Sequence, residues 1–179
     1  MDAFENLMAL LLRREGYWTM TSFRVGLDKE QKQEIGRHSS PRWELDLVAY
    51  NGAENEVLVV ECKSYLDSTG VTFRKGAFEP ADRYKLFTEP KLREVVLDTL
   101  KKQMQARGLC QPNPTVKLCL ATAKIASRTD REALKAHFDI NGWLLYDDNE
   151  IKRMLKECAD DGYENDVALV VTKLLMRDE

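Results

Sequence analysis

WELDLVAYNGAENEVLVVECKSY, residues 43–65, decides how this chain is read. Two Val- and Leu-rich runs, 43–50 and 57–64, flank NGAENE with its Asn-Gly turn signal, so the stretch predicts an antiparallel hairpin. With residues 51–56 as the loop, Tyr50 faces Val57, and the same register sets Asp46 opposite Glu61 and Glu44 opposite Lys63. Strand alternation places those four charges on one face and Leu45, Leu47, Ala49, Leu58, Val60 and Cys62 on the other. The charged face is itself apolar near the turn, at Val48, Tyr50, Val57 and Val59, and charged at its open end.

Charge on otherwise buried strands is costly unless something offsets it. Directly opposed residues have Cβ atoms about 4.5 to 5.5 Å apart, so ionised Asp46 and Glu61 repel unless a cation lies between them. A hard divalent ion suits the pair, because Mg²⁺ takes one or two protein carboxylates together with waters and substrate phosphate. Lys63, on the same face, is then placed to position a water or to offset charge building on phosphorus. The chemistry expected is phosphodiester hydrolysis. A plain alternative is a pair of edge strands whose charges reach solvent, with Glu44 and Lys63 in a surface ion pair worth about 0 to 1 kcal/mol. It leaves the opposed acids unexplained.

The tripeptide E-x-K carries nothing alone, since it starts at Glu30, Glu61, Glu89 and Glu150. Context selects the second, which ends a hydrophobic strand and has an acid across from it. The first sits in a polar segment, the third contains Pro90 and the fourth opens a helix.

Outward from the hairpin, Asp2 and Glu5 form a capping-box pattern ahead of a helix with Phe4, Leu7, Met8, Leu11 and Leu12 on its apolar face. A strand over 17–25 follows, then a polar loop over 28–42 closed by Pro41. Residues 66–89, with Gly70, Gly76 and Pro80, read as an excursion from the sheet. Beyond it come a helix over 91–107, a buried strand over 116–123, a helix over 129–138 capped by Ser127 and the strand GWLLY. Helices over 149–158 and 165–176 end the chain. This alternation predicts an α/β class, with a mixed central sheet flanked by helices in one domain spanning 1–179, its core over about 1–158.

Composition agrees with one globular domain, since 44% hydrophobic content over 179 residues suffices for a core. The apolar run near the N-terminus is too short for a membrane span and has no basic leader, so a cytoplasmic protein without a membrane partner is expected. Cys62, Cys110, Cys119 and Cys158 lack metal-ligand or disulfide spacing and read as packed thiols. The net charge of −3 does not mark a nucleic-acid binder, but its distribution is uneven. Residues 71–108 hold nine Lys/Arg against five Asp/Glu, whereas 43–70 hold one against six and 127–179 eight against thirteen. An acidic centre beside a basic stretch suits a metal-using phosphate enzyme. Candidate phosphate contacts are Lys101, Lys102, Gln103 and Arg107 on the helix and Arg74, Lys75, Arg83 and Lys85 on the excursion. Trp18, Trp43 and Trp143 read as core anchors, and His38 and His137 have no partners by spacing. No G-x-S-x-G, G-x-G-x-x-G or P-loop pattern occurs.

Asp46, then fourteen residues, then Glu61-Cys62-Lys63 resembles the PD-(D/E)xK phosphodiesterase superfamily, an acid on one strand and E-x-K on the next. KLCLATAKIASRTDREALKAHF and GWLLYDDNEIKRML look like the Mrr-like branch of restriction endonucleases. The likeness runs over most of 1–158, although its specific part is the hairpin motif. It implies a restriction endonuclease-like sheet and a Mg²⁺ or Mn²⁺ site made by Asp46, Glu61 and the backbone carbonyl of Cys62. It further implies Lys63 as the catalytic amine, with DNA as substrate and a homodimer or larger nuclease complex as the assembly. Leu45 stands where the superfamily often has proline. The further acid that members carry on the first helix falls to Glu5, which also has its capping role. The function expected is a metal-dependent nuclease that hydrolyses DNA phosphodiester bonds. The alternatives are a non-cleaving nuclease-like module that binds nucleic acid or a protein partner, and an interaction protein that uses its acidic C-terminal third.

Overall fold

Local capping chemistry starts the fold. In the structure, a computed structural model describing residues 2–37, 42–162 and 164–176, the Asp2 carboxylate accepts the Glu5 N–H at 2.8 Å and Glu5 accepts the Asp2 N–H at 3.2 Å. This capping box opens helix α1 (Ala3–Arg14), which buries Phe4, Met8, Leu11 and Leu12. Strand β1 (Trp18–Val25), the short helix α2 (Lys29–Glu34) and the hairpin β2 (Trp43–Asn51) and β3 (Glu56–Lys63) follow. The excursion forms a two-stranded ribbon, β4 (Thr72–Arg74) and β5 (Ala77–Glu79), then a 3₁₀ turn at Ala81–Arg83 and helix α3 (Lys85–Thr88). Helix α4 (Pro90–Ala106), β6 (Thr115–Thr122), α5 (Arg128–Asn141), β7 (Leu144–Tyr146), α6 (Asp148–Asp160) and α7 (Val167–Met176) complete the chain.

The main sheet has strand order β1-β2-β3-β6-β7, antiparallel from β1 to β3 and parallel from β3 to β7. It is the mixed α/β sheet expected, with helices on both faces. One face packs Val48, Tyr50, Val57, Val59, Leu118 and Leu120 against α3, α4, α5 and the ribbon. The other packs Leu47, Ala49, Leu58, Val60, Cys119 and Ala121 against α1, α6 and α7. Each large apolar side chain so buried contributes about 1.5 to 3 kcal/mol relative to exposure. The four cysteines are free thiols, and among the described residues no buried side-chain polar atom lacks a hydrogen-bond partner. Among them, too, no helix is long and apolar enough to cross a membrane.

Several expectations need correction. The polar segment after β1 contains α2, which buries none of its residues yet is held by an Asp28–Gln31 capping box. Gln31 also donates to Thr99 Oγ1 at 2.7 Å and Lys91 pairs with Glu34 at 2.6 Å, so polar ties to α4 replace an apolar face. His38 and Pro41 lie outside the described residues. Trp18 is 79% exposed and no core anchor, because it begins an edge strand, whereas Trp43 and Trp143 are half-buried with Arg37 and Arg93 over their rings. The excursion is pinned by buried Asp130, which accepts the Phe73 N–H at 2.9 Å and a hydrogen bond from Ser127. His137 packs on Phe73, with centroids 4.9 Å apart.

The alternation of the hairpin is also corrected. Leu45 packs in the same cluster as Val48, and Phe23 in the same cluster as Met20, although three steps along a strand should reverse the face. Both strands therefore slip by one between these positions, and their pairing omits Ser22 and Asp46, with Ser22 at φ 50°. Glu44, Asp46, Glu61 and Lys63 consequently do not share one face by simple alternation.

Candidate active site

The predicted hairpin register holds from Asn51↔Glu56 to Leu47↔Val60, and there the pairing of β2 with β3 stops. It ends one step short of Asp46 and Glu61. β3 nevertheless stays paired with β6 as far as Lys63↔Thr122, while β2 stays paired with β1 as far as Trp43↔Val25. A fork thus opens between the antiparallel and parallel halves of the sheet, at the carboxyl end of a parallel strand, where open α/β sheets bind their ligands.

Asp46 closes the fork with its side chain. Its Oδ2 accepts the Cys62 N–H at 2.8 Å, taking the place of the backbone carbonyl that a continued ladder would have offered. On the other side of β3, Ala123 N–H donates to the Lys63 carbonyl at 3.1 Å, so the Lys63 carbonyl faces β6. Carbonyls alternate along a strand, and the Cys62 carbonyl therefore faces the Asp46 side. Two of the three expected metal ligands converge by this route. The Cys62 thiol is buried and pushed up in pKa by desolvation, which leaves its backbone as the group offered to the fork.

Glu61 and Lys63 form an ion pair at 2.6 Å, with side chains about a fifth exposed at 20% and 19%. Burial pushes the Glu61 carboxyl up; Lys63 opposes that push, and the charge of Asp46 adds to it. Burial pulls the Lys63 ammonium down, but Glu61 outweighs it and leaves Lys63 above the ordinary lysine value. Glu5 is likewise raised, by burial first, against its capping bond to Asp2 and with the Asp46 carboxylate adding to the rise. Glu5 thus performs the capping role, and its charge and those of Asp46 and Glu61 act on one another. Glu44 does not join them. It turns to solvent, where both it and its partner Arg24, at 3.4 Å, are more than half exposed, and it makes no pair with Lys63.

The donor set suits a partly hydrated hard cation. Asp46 Oδ1 and Glu61 Oε2 meet no hydrogen-bond donor among the described residues, and neither is sealed from solvent. Two half-used carboxylates and a carbonyl match an ion that keeps several waters. Among the described residues no three His, Cys, Asp or Glu side chains converge as a ready-made cage.

The predicted phosphate contacts divide. Gln103 is committed to Gly26, donating to its carbonyl at 2.9 Å, Arg107 lies over the Phe23 ring and Arg74 stands 3.7 Å from Asp130. Lys75, Arg83 and Lys102 are exposed, and Lys85 and Lys101 half-buried. Sequence reasoning missed Tyr65 and Tyr84, whose hydroxyls are 3.5 Å apart beside this site. Tyr65 lies two residues past Lys63, but no spacing rule joins it to Tyr84, nineteen positions on. Comparison with protein-family models, with curated proteins and with solved structures finds no match to this chain.

Proposed function

We propose that the chain is a metal-dependent nuclease that hydrolyses phosphodiester bonds of DNA, with Asp46, Glu61 and Lys63 as its catalytic residues. The observation that carries this reading is the fork, in which two acids with free oxygens and an ammonium meet where β2 parts from β3. The resemblance of the hairpin to the PD-(D/E)xK pattern supplies DNA as the substrate class.

Asp46, Glu61 and the Cys62 carbonyl would hold Mg²⁺ or Mn²⁺. When bound, such an ion supplies Lewis acidity toward the phosphate and lowers the pKa of a water. The chain's own contribution is positioning and charge. The Cys62 N–H fixes the Asp46 carboxylate, which therefore needs little rearrangement to act as a ligand. Lys63 keeps its proton at neutral pH because Glu61 stabilises the ammonium, so it serves as a cation that offsets charge developing on the phosphoryl oxygens or donates a proton to the leaving oxygen. A lysine with a raised pKa is poorly suited to start the reaction as a base.

The deciding experiment incubates plasmid, branched and single-stranded DNA with the purified chain in Mg²⁺ or Mn²⁺, with and without chelator. Cleavage that chelator stops, and that Glu61→Gln and Lys63→Met each abolish, is the expected result. DNA binding without cleavage would instead favour the non-cleaving module, and undiminished cutting by both variants would remove the assignment of these residues.

A further inference from the structure

Two residues past Lys63 the backbone of Tyr65 has φ 42°, the left-handed region that a bulky residue rarely adopts. Such a conformation persists where its surroundings over-determine it. Here they are identifiable. The Tyr65 ring packs on the core, its hydroxyl accepts from buried Tyr84 at 3.5 Å, and the Ser68 N–H and Oγ each donate to the Tyr65 carbonyl at 3.3 Å. This closes a turn over residues 65–68. Beyond it Val71 bridges Ile125, and the Val71 N–H donates to the Lys124 carbonyl at 3.0 Å. Gly70 permits that approach, because a Cβ on it would lie 2.8 Å from the same carbonyl oxygen. The turn is therefore fastened at both ends, across the carboxyl ends of β3 and β6, where the fork opens.

Two side chains of opposite character stand on this frame. Leu66 is 69% exposed, and because it follows Lys63 by three residues their Cα atoms are at most about 11 Å apart. A singly exposed leucine is ordinary, but one held on a braced turn this close to Lys63 offers a fixed apolar surface to whatever occupies the site. Lys124 follows Ala123, whose N–H donates to the Lys63 carbonyl at 3.1 Å, so backbone hydrogen bonding sets Lys124 next to Lys63. The Lys124 Nζ donates to the Ser68 carbonyl at 2.5 Å, and among the described residues no carboxylate pairs with it, although exposed Asp67 adjoins Ser68. A neutral carbonyl orients an ammonium without cancelling its charge, which stays available to a phosphate.

We propose that Leu66 and Lys124 form the subsite for the nucleotide beside the scissile phosphate, with Lys124 holding its phosphate and Leu66 packing against its base. This assignment rests on the nuclease reading above. The face of a base is open to an apolar side chain once the base has left its stack, so the preferred substrate is single-stranded or unpaired DNA over continuous duplex.

The test compares the whole chain with Leu66→Ser and Lys124→Gln, in Mn²⁺, on a single-stranded oligonucleotide, on the same sequence as duplex and on bis(p-nitrophenyl) phosphate, a diester with one phosphate. By kcat/KM the unmutated chain should cut the single strand about tenfold better than the duplex. Leu66→Ser should lower the single-strand value about fivefold and the duplex value less, which narrows that preference. Lys124→Gln should weaken both DNA substrates through KM and make the salt dependence shallower by about one phosphate contact, and Lys124→Arg should restore part of the loss. Equal cutting of single strand and duplex, a preference unaltered in Leu66→Ser, or a Lys124→Gln loss as large on the small diester as on DNA would each overturn the subsite while leaving the nuclease reading intact. Failure of the unmutated chain on all three substrates would instead remove the nuclease reading, and this assignment with it.

Discussion

At the residue scale, Asp46 does two separable jobs. Its Oδ2 satisfies the Cys62 N–H, and its charge raises the cost of ionising Glu61 and Glu5. Asparagine keeps an acceptor and discards the charge, so Asp46→Asn should leave Tm unchanged or raised while cleavage disappears. Alanine leaves the backbone donor without its partner, and Asp46→Ala should cost about 1 to 3 kcal/mol in denaturant melts. Cys62 makes the reverse point, since its carbonyl and not its thiol faces the fork. Cys62→Ala should retain cleavage in the same plasmid assay, at a cost near 1 kcal/mol. Lys63 and Glu61 are linked through protons. Both pKa values are raised in the fold, so each group's contribution is full below its unfolded value and lost as pH rises through the folded one. For Glu61 that window starts at the ordinary glutamate value, and removing Lys63 raises its folded pKa further. Lys63→Met should therefore destabilise by about 1 to 3 kcal/mol at pH 7 and by less near pH 4, read from urea melts at the two pH values. An equal penalty at both would show that the pair is not coupled.

At the scale of elements, the site is made by a defect in strand geometry. β1 and β2 keep their mutual register while both slip by one side chain at Ser22 and Asp46, and β2 then cannot follow β3. The slip needs Ser22 at positive φ. Glycine accepts that conformation and a β-branched residue resists it. Ser22→Gly should be near neutral in stability, and Ser22→Val should cost about 1 to 2 kcal/mol and lower cleavage, although the side chain belongs to neither acid strand of the fork. Equal thermal stability of the two variants would mean that the conformation at this position is unimportant to the fork. The ribbon and its 3₁₀ turn belong to the same scale. Buried Asp130 holds the Phe73 N–H, and Ser127 lowers its pKa, so the excursion that carries Tyr84 is fastened to α5 and does not hang as a loop.

At the scale of the whole molecule, like charges gathered in one fork are a standing cost that a bound cation would remove. Mn²⁺ should raise the Tm of the unmutated chain in proportion to log concentration above Kd, and should do so far less for Asp46→Asn, in differential scanning fluorimetry. Identical shifts would place the ion elsewhere. The sequence by itself determined the order of the main helices and strands, the caps at Asp2 and Ser127 and the hairpin register from the turn to Leu47↔Val60. Each of these is local, set by side-chain period, turn residues or hydrogen bonds a few positions apart. Tertiary structure decided that Leu45 leaves its expected face, that Glu44 turns to Arg24, that Trp18 is exposed and that residues 29–34 are helical. It also brought the Tyr84 hydroxyl to that of Tyr65, two residues past Lys63. These depend on where β2 parts from β3 and on what packs against each strand, and contacts between distant segments leave no period in a single chain.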